Sequence, residues 1–175
     1  MTFKLVGSHV MVDLETLGNG STAVISSVGA VRFDATGIKG SFYEFVDPQS
    51  CVDAGLKMDV STVVWWMGQS DDARAAFKNK GLPLTTVLAA FDAWFAKDAC
   101  LWGNGATFDN VILSSAYKSV GLKAPWPYWG DRCYRTMKTM YPDIKAPAFQ
   151  GTAHNALDDA AHQARHLILI AGGQL

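Results

Sequence analysis

The chain has 175 residues, 49% of them apolar and 18% charged, with a formal net charge of −1. This excludes a disordered chain and provides for one domain, residues 1–175, with a real core. It also excludes a protein that holds long nucleic acid by phosphate contacts alone, which would be basic.

Residues 10–12 are apolar on both faces, as in a central strand covered on both sides. The strand ends in Asp13 and Glu15. Side chains at i and i+2 of a strand point the same way, so these carboxylates face one side together. Two like charges at a buried strand end call for protonation, a Lys or Arg partner, or a cation. Residues 24–33 form a second strand, with Gly29 marking close backbone packing. A turn at 34–37 leads to a third strand over 41–46, completing an antiparallel meander.

A loop is expected from Asp47 to about Val60. Ser61 is the expected N-cap of a short helix through Trp65 and Trp66. Another short helix is expected over 71–78. A clearer one starts at residues 83–85, where Leu84, Leu88, Phe91 and Phe95 share a face. Residues 99–102 form a strand broken by Gly103-Asn104-Gly105. Thr107 is the expected cap of a helix over 108–120, with Gly121 beyond its end. Residues 125–129 form a rigid aromatic loop with room for a short edge strand. Asp131 is the expected cap of the next helix, which Pro142 ends. A loop over 143–152 precedes the last helix, at about 155–171, with Asn155 as its N-cap. The order fits an α/β fold, one mixed sheet covered by helices.

No apolar run spans a bilayer, and the N-terminal apolar region is too short for a signal peptide. Cys51, Cys100 and Cys133 fit neither a disulfide framework nor a Cys-rich zinc site. A cytoplasmic setting is the expectation.

Two further acids stand where Asp13 and Glu15 could use them. Asp109 lies in the first turn of a helix, where an acid also answers the helix dipole. Asp158 and Asp159 lie near the start of the last helix, and periodicity does not choose between them. Two divalent cations about 3.5–4 Å apart can clamp the attacking and leaving oxygens of a phosphodiester. Mg²⁺ takes oxygen ligands and few carboxylates. A neutral imidazole, with an ordinary pKa of about 6.5, can take the proton of the attacking water. His154, in the loop before the last helix, is the best-placed candidate.

Asp13-Leu14-Glu15-Thr16, then the block from Asn104 to Asn110, then His154-Asn155-Ala156-Leu157-Asp158-Asp159 resembles the DEDDh (DnaQ-like) family of 3′→5′ exonucleases, which has an RNase H-like fold. The surroundings of Trp65-Trp66 and Gly103-Asn104-Gly105 look most like a subgroup of phage-type exodeoxyribonucleases and mycobacterial-type exoribonucleases. The resemblance implies that Asp13, Glu15, Asp109 and Asp159 bind two Mg²⁺ or Mn²⁺ ions, with Asp13 bridging both and His154 as general base. It selects Asp159 over Asp158. It implies a substrate of DNA or RNA with a free 3′ end, shortened to nucleoside 5′-monophosphates. Leu14 and Thr16 would wedge against and bond the 3′-terminal nucleotide. Trp65, Phe108 and Asn104 are further substrate candidates, each with a packing or turn-closing alternative; one of Trp65 and Trp66 is expected in the core.

Arg132, Arg135, Lys138 and Arg165 are either phosphate contacts or solvated. Asp158, His162 and His166 have a zinc-like helical spacing, set against a solvated face. Some family members are homodimers, and residues 126–129 are a candidate surface for that. The alternative to an enzyme is a non-catalytic or partner-directed nucleic-acid-binding module of the same fold.

Overall fold

The computed structural model describes residues 3–74, 77 and 80–174. β1 (His9–Thr16) pairs antiparallel with β2 (Ile25–Asp34), and β2 with β3 (Gly37–Phe45). β4 (Cys100–Gly103) runs parallel to β1 on its other side, and β5 (Asp131–Cys133) parallel to β4. The order β3-β2-β1-β4-β5 makes one mixed sheet with β1 at its centre. Short turns impose the antiparallel half, whereas a parallel neighbour requires a long crossover. That crossover carries α1 (Pro48–Asp53), α2 (Val60–Met67), α3 (Asp71–Arg74) and α4 (Leu84–Trp94). α5 (Asp109–Ser119) follows β4, α6 (Tyr134–Met140) follows β5, and α7 (Ala156–Ile170) closes the fold.

Alternation along β1 gives the sheet two apolar faces. Val10, Val12 and Leu14 pack with Leu88 and Phe91 of α4 and Ile112 of α5. Met11 packs with Val31 and Phe33 beneath Ala160, Ala164 and Leu167 of α7. Asp13 and Glu15 share the parity of Met11, so their carboxylates emerge on the α7 side.

Two glycines let helices reach the strand ends. Gly29 lies opposite Asp13 in the ladder. A Cβ there would overlap the backbone of Ala156 and Leu157, so its absence lets α7 begin directly against the sheet. Gly103 does the same for α5: a Cβ there would overlap the Asn110 side chain and sit 2.9 Å from Asp109 Cβ. Asn155 caps α7 as expected, its Oδ1 accepting the N–H groups of Leu157 and Asp158 at 3.1 and 3.2 Å.

Several local expectations are corrected. The loop expected from Asp47 contains α1, with Asp47 at the N-cap and Pro48 in the first turn. Six residues are too few for a helical period to show in the sequence. Ser61 does not cap α2; Asp59 holds that position, and its carboxylate accepts Asn19 N–H at 2.7 Å. Thr107 does not cap α5, which has Phe108 at the N-cap and no side-chain capping bond. Asp131 opens β5 instead of capping α6; its Oδ1 accepts from Asn110 Nδ2 at 2.8 Å and Trp126 Nε1 at 3.0 Å. The third strand begins at Gly37, earlier than expected. The short helix expected over 71–78 is α3 to Arg74; residues 75, 76 and 78 of that expectation lie outside the described residues.

Candidate active site

β1 presents Asp13 and Glu15 to α7, and the first turn of α7 presents Asp159 to them. A carboxylate oxygen from each lies within 4.8 Å of the others. Asp158, one residue earlier, turns away and accepts Thr152 N–H at 2.8 Å, closing the loop before α7. Among the described residues this is the group of three or more acids, histidines or cysteines that could hold a metal ion. Asp109 stands behind it, 3% exposed, accepting Leu14 N–H at 3.3 Å.

No Lys or Arg forms an ion pair with this cluster among the described residues. Burial, then the charge of Asp13, raises Glu15 to about 9. Burial raises Asp109 to about 7, despite bonds from backbone N–H groups and the nearby charge of Arg135. Asp13 is raised by burial and by Asp109, with its bond from Gln163 acting the other way. Burial also raises Asp159. Burial thus disfavours the charged form of all four acids, and bound cations would offset it. The donors are all oxygen, which suits a hard divalent ion such as Mg²⁺ or Mn²⁺.

His154 lies at the rim in a left-handed backbone conformation, φ 63°. Its N–H donates to Asp159 Oδ2 at 2.9 Å, tying the loop to the acids. Its ring meets Trp65 edge to face, with centroids 5.2 Å apart. Beside it runs a cleft of about 410 Å³ lined by Leu14, Thr16, Trp65 and Phe108, all substrate candidates from the sequence. Trp66, of the tryptophan pair, is the core member: it is 4% exposed and donates to Thr16 O at 2.9 Å. Asn104 lies outside the cleft lining; its carbonyl accepts Arg135 Nη2 at 2.6 Å.

Sequence reasoning missed Gln163. It is 5% exposed and donates from Nε2 to Asp13 Oδ1 at 2.8 Å. Its signal was there: it sits four residues after Asp159, on the same helical face. Asn19, also missed, lines the cleft and donates to Thr62 Oγ1 at 3.2 Å. His166 is neither solvated nor free to bind zinc. It is 2% exposed, with Nδ1 2.7 Å from Tyr134 Oη and Nε2 2.8 Å from Ile144 O. His162 rests against Phe149, with ring centroids 5.0 Å apart.

A family model described as the 3′-5′ exoribonuclease Rv2179c-like domain matches residues 8–171. Among curated proteins none matches the chain. Among solved structures, the nuclease domain of 3′hExo, a DEDDh family member bound to rAMP, is 14% identical with a TM-score of 0.65, covering 94% of this chain and 92% of its own. Escherichia coli exonuclease I in complex with a dA16 oligonucleotide is 18% identical with a TM-score of 0.69, covering 97% of this chain, which spans only 41% of that one. Exonuclease X in complex with 5′ overhanging duplex DNA is 16% identical with a TM-score of 0.59, covering 93% of this chain and 90% of its own. At these identities the likeness speaks for the fold, a DnaQ or RNase H-like sheet with helices. The family match takes in β1, the first turn of α5 and the start of α7, where the acids stand, and on it the chain belongs to the Rv2179c-like family of 3′-5′ exoribonuclease domains.

Proposed function

We propose that the chain hydrolyses the terminal phosphodiester of RNA or DNA from the 3′ end with two divalent cations, releasing nucleoside 5′-monophosphates. The observation that carries this reading is the convergence of Asp13, Glu15 and Asp159 within 4.8 Å beside a cleft lined by Trp65 and Phe108. Asp13, Glu15, Asp109 and Asp159 would hold the cations, and the all-oxygen set without an ion-paired cation fits that role. When bound, the cations supply positive charge at the scissile phosphate and make water a better nucleophile.

The chain's own groups do the rest. Leu14 and Thr16, at the end of β1, seat the terminal nucleotide, and Trp65 offers its 46% exposed indole to the base. His154 accepts the water's proton at an imidazole nitrogen, and Asp159, bonded to its backbone, keeps it at the rim. A non-catalytic binding module of the same fold is the competing reading. It has no need of four acids drawn together at the cost of their burial.

The test uses 5′-labelled RNA and DNA strands with Mg²⁺ or Mn²⁺. RNA is the first substrate to try, because the family description names it. The wild-type chain should give a stepwise ladder from the 3′ end, and Asp13→Ala should give none. His154→Ala should still bind Mn²⁺ but turn over about 10²–10⁴-fold more slowly. Absence of metal-dependent shortening of every strand would sink the enzymatic reading.

A further inference from the structure

We propose that the β5 edge of the sheet is a second nucleic-acid site, taking a single-stranded segment of the polymer upstream of its 3′ end. This rests on the exonuclease reading and extends it, since the acidic site holds only the terminus.

The first observation is an aromatic platform. Tyr128 is 85% and Trp129 68% exposed, with their rings edge to face at 4.9 Å. Pro125 and Pro127 stiffen the segment that carries them. Trp126, 6% exposed, anchors it through Nε1 to Asp131 Oδ1 at 3.0 Å. Two large rings are thus presented to solvent from a turn already ordered, so little entropy is lost when a base stacks on them.

The second observation is charge. Between Asn110 and Met140 the chain carries Lys118, Lys123, Arg132, Arg135 and Lys138 against the single acid Asp131. Asp131 turns its Oδ1 inward to Asn110 and Trp126. Among the described residues the ion pairs are Lys39–Asp34 and Arg74–Asp71, so none of these five cations is neutralised by one. A chain of net charge −1 therefore concentrates positive charge along one edge.

The third observation is continuity with the acids. A groove of about 470 Å³ runs between Lys118, Lys123 and the aromatic pair. It meets a second groove, which Arg132 lines, at their common residue Asp131. The second meets a third, lined by Arg135, at Cys133 and Thr136. Arg132 Nη1 also donates to Trp129 O at 2.7 Å. Arg135 bonds the Asn104 carbonyl and lies against Gly105, in the loop that leads into α5 and Asp109. Rings and cations thus follow one another from the platform to the loop that leads into Asp109.

Exposed aromatic faces beside unpaired cations are what an unpaired strand requires, because its bases are free to stack. A duplex keeps those faces covered. A second copy of this chain is disfavoured, because a two-fold contact would set this cationic edge against itself.

The test measures binding of dye-labelled oligouridylates of about 16 and about 4 nucleotides by anisotropy in EDTA, then hydrolysis of both with Mn²⁺. Tyr128→Ala/Trp129→Ala should bind the longer strand roughly tenfold or more weakly. It should hydrolyse the shorter one at the wild-type rate. Lys118→Gln/Lys123→Gln should lower the slope of log K against log salt by about 0.7 per lysine. Unchanged long-strand binding in both variants, with normal hydrolysis of the short strand, would overturn the second site and leave the exonuclease reading standing. Variant-sensitive binding without any hydrolysis by the wild type would support the second site and count against the exonuclease reading. A dimer abolished by the aromatic substitutions, with strand binding intact, would overturn the proposal and assign the edge to a second copy.

Discussion

Gln163 donates to Asp13 Oδ1 at 2.8 Å, while its own Oε1 is buried and unpaired among the described residues. A neutral donor orients a carboxylate without cancelling its charge, which a Lys or Arg in the same place would do. Asp13 is thereby fixed in direction yet still able to attract a cation. Gln163→Met keeps the volume and removes the donor. Mn²⁺ affinity, followed by isothermal titration, should fall about 10–100-fold, as for other partners of metal-holding side chains. An unchanged affinity would mean that the bond serves packing alone. The catalytic candidates themselves were legible at this scale, because Asp13 and Glu15 follow from strand parity. Gln163 was legible only in part: four residues after Asp159 it shares that helical face, but its partner Asp13 is set by the fold. The choice of Asp159 over Asp158 came from the family resemblance; the structure separates the two by direction, one facing the acids and the other closing a loop.

α7 is the element on which the site depends. Its first turn carries Asp159, the next turn Gln163, and the loop before it His154. Asp159 and Gln163 reach the carboxylates of β1 because Gly29 leaves room for the helix backbone, and His154 is tied to Asp159. Gly29→Ala should push the start of α7 off the sheet. The expected loss is about 1–3 kcal/mol of stability in urea denaturation, as for overpacking elsewhere, with weaker Mn²⁺ binding beside it. A variant of wild-type stability and metal affinity would show that the helix start yields without cost. Element type was legible where the pattern ran long: α4, α5 and α7 each span 11 residues or more. The six residues of α1 were not, and three of the four side-chain caps expected from the sequence went elsewhere. Ser, Thr and Asp bond the first suitable partner in space, and only the fold says which that is.

For the molecule as a whole, buried acids set the dependence of stability on pH. Glu15 rises from 4.5 to about 9, and Asp13, Asp109 and Asp159 are raised as well, burial being the leading cause in each case. An acid raised in the fold binds its proton more tightly there than in the unfolded chain. Its contribution is complete below the unfolded pKa and is lost as pH rises through the folded one. In EDTA the melting temperature should therefore fall as pH rises from about 4.5 to about 9. Saturating Mn²⁺ should reduce that fall, because the cation replaces the protons. Scanning fluorimetry across this range checks both, and a flat profile in EDTA would contradict the charge-starved cluster described here.

The sequence by itself determined the properties that arise between near neighbours along the chain. These are the apolar central strand, the shared side of Asp13 and Glu15, the antiparallel meander, the Asn155 cap and the order of the acidic blocks. Tertiary structure alone decided which helix stands over those carboxylates, which tryptophan enters the core and which donor holds Asp13. Gln163 and Asp13 are 150 residues apart. Periodicity fixes the direction of a side chain relative to its own element. Contact between elements depends on how closely two backbones approach, and here a missing Cβ at Gly29 sets that distance.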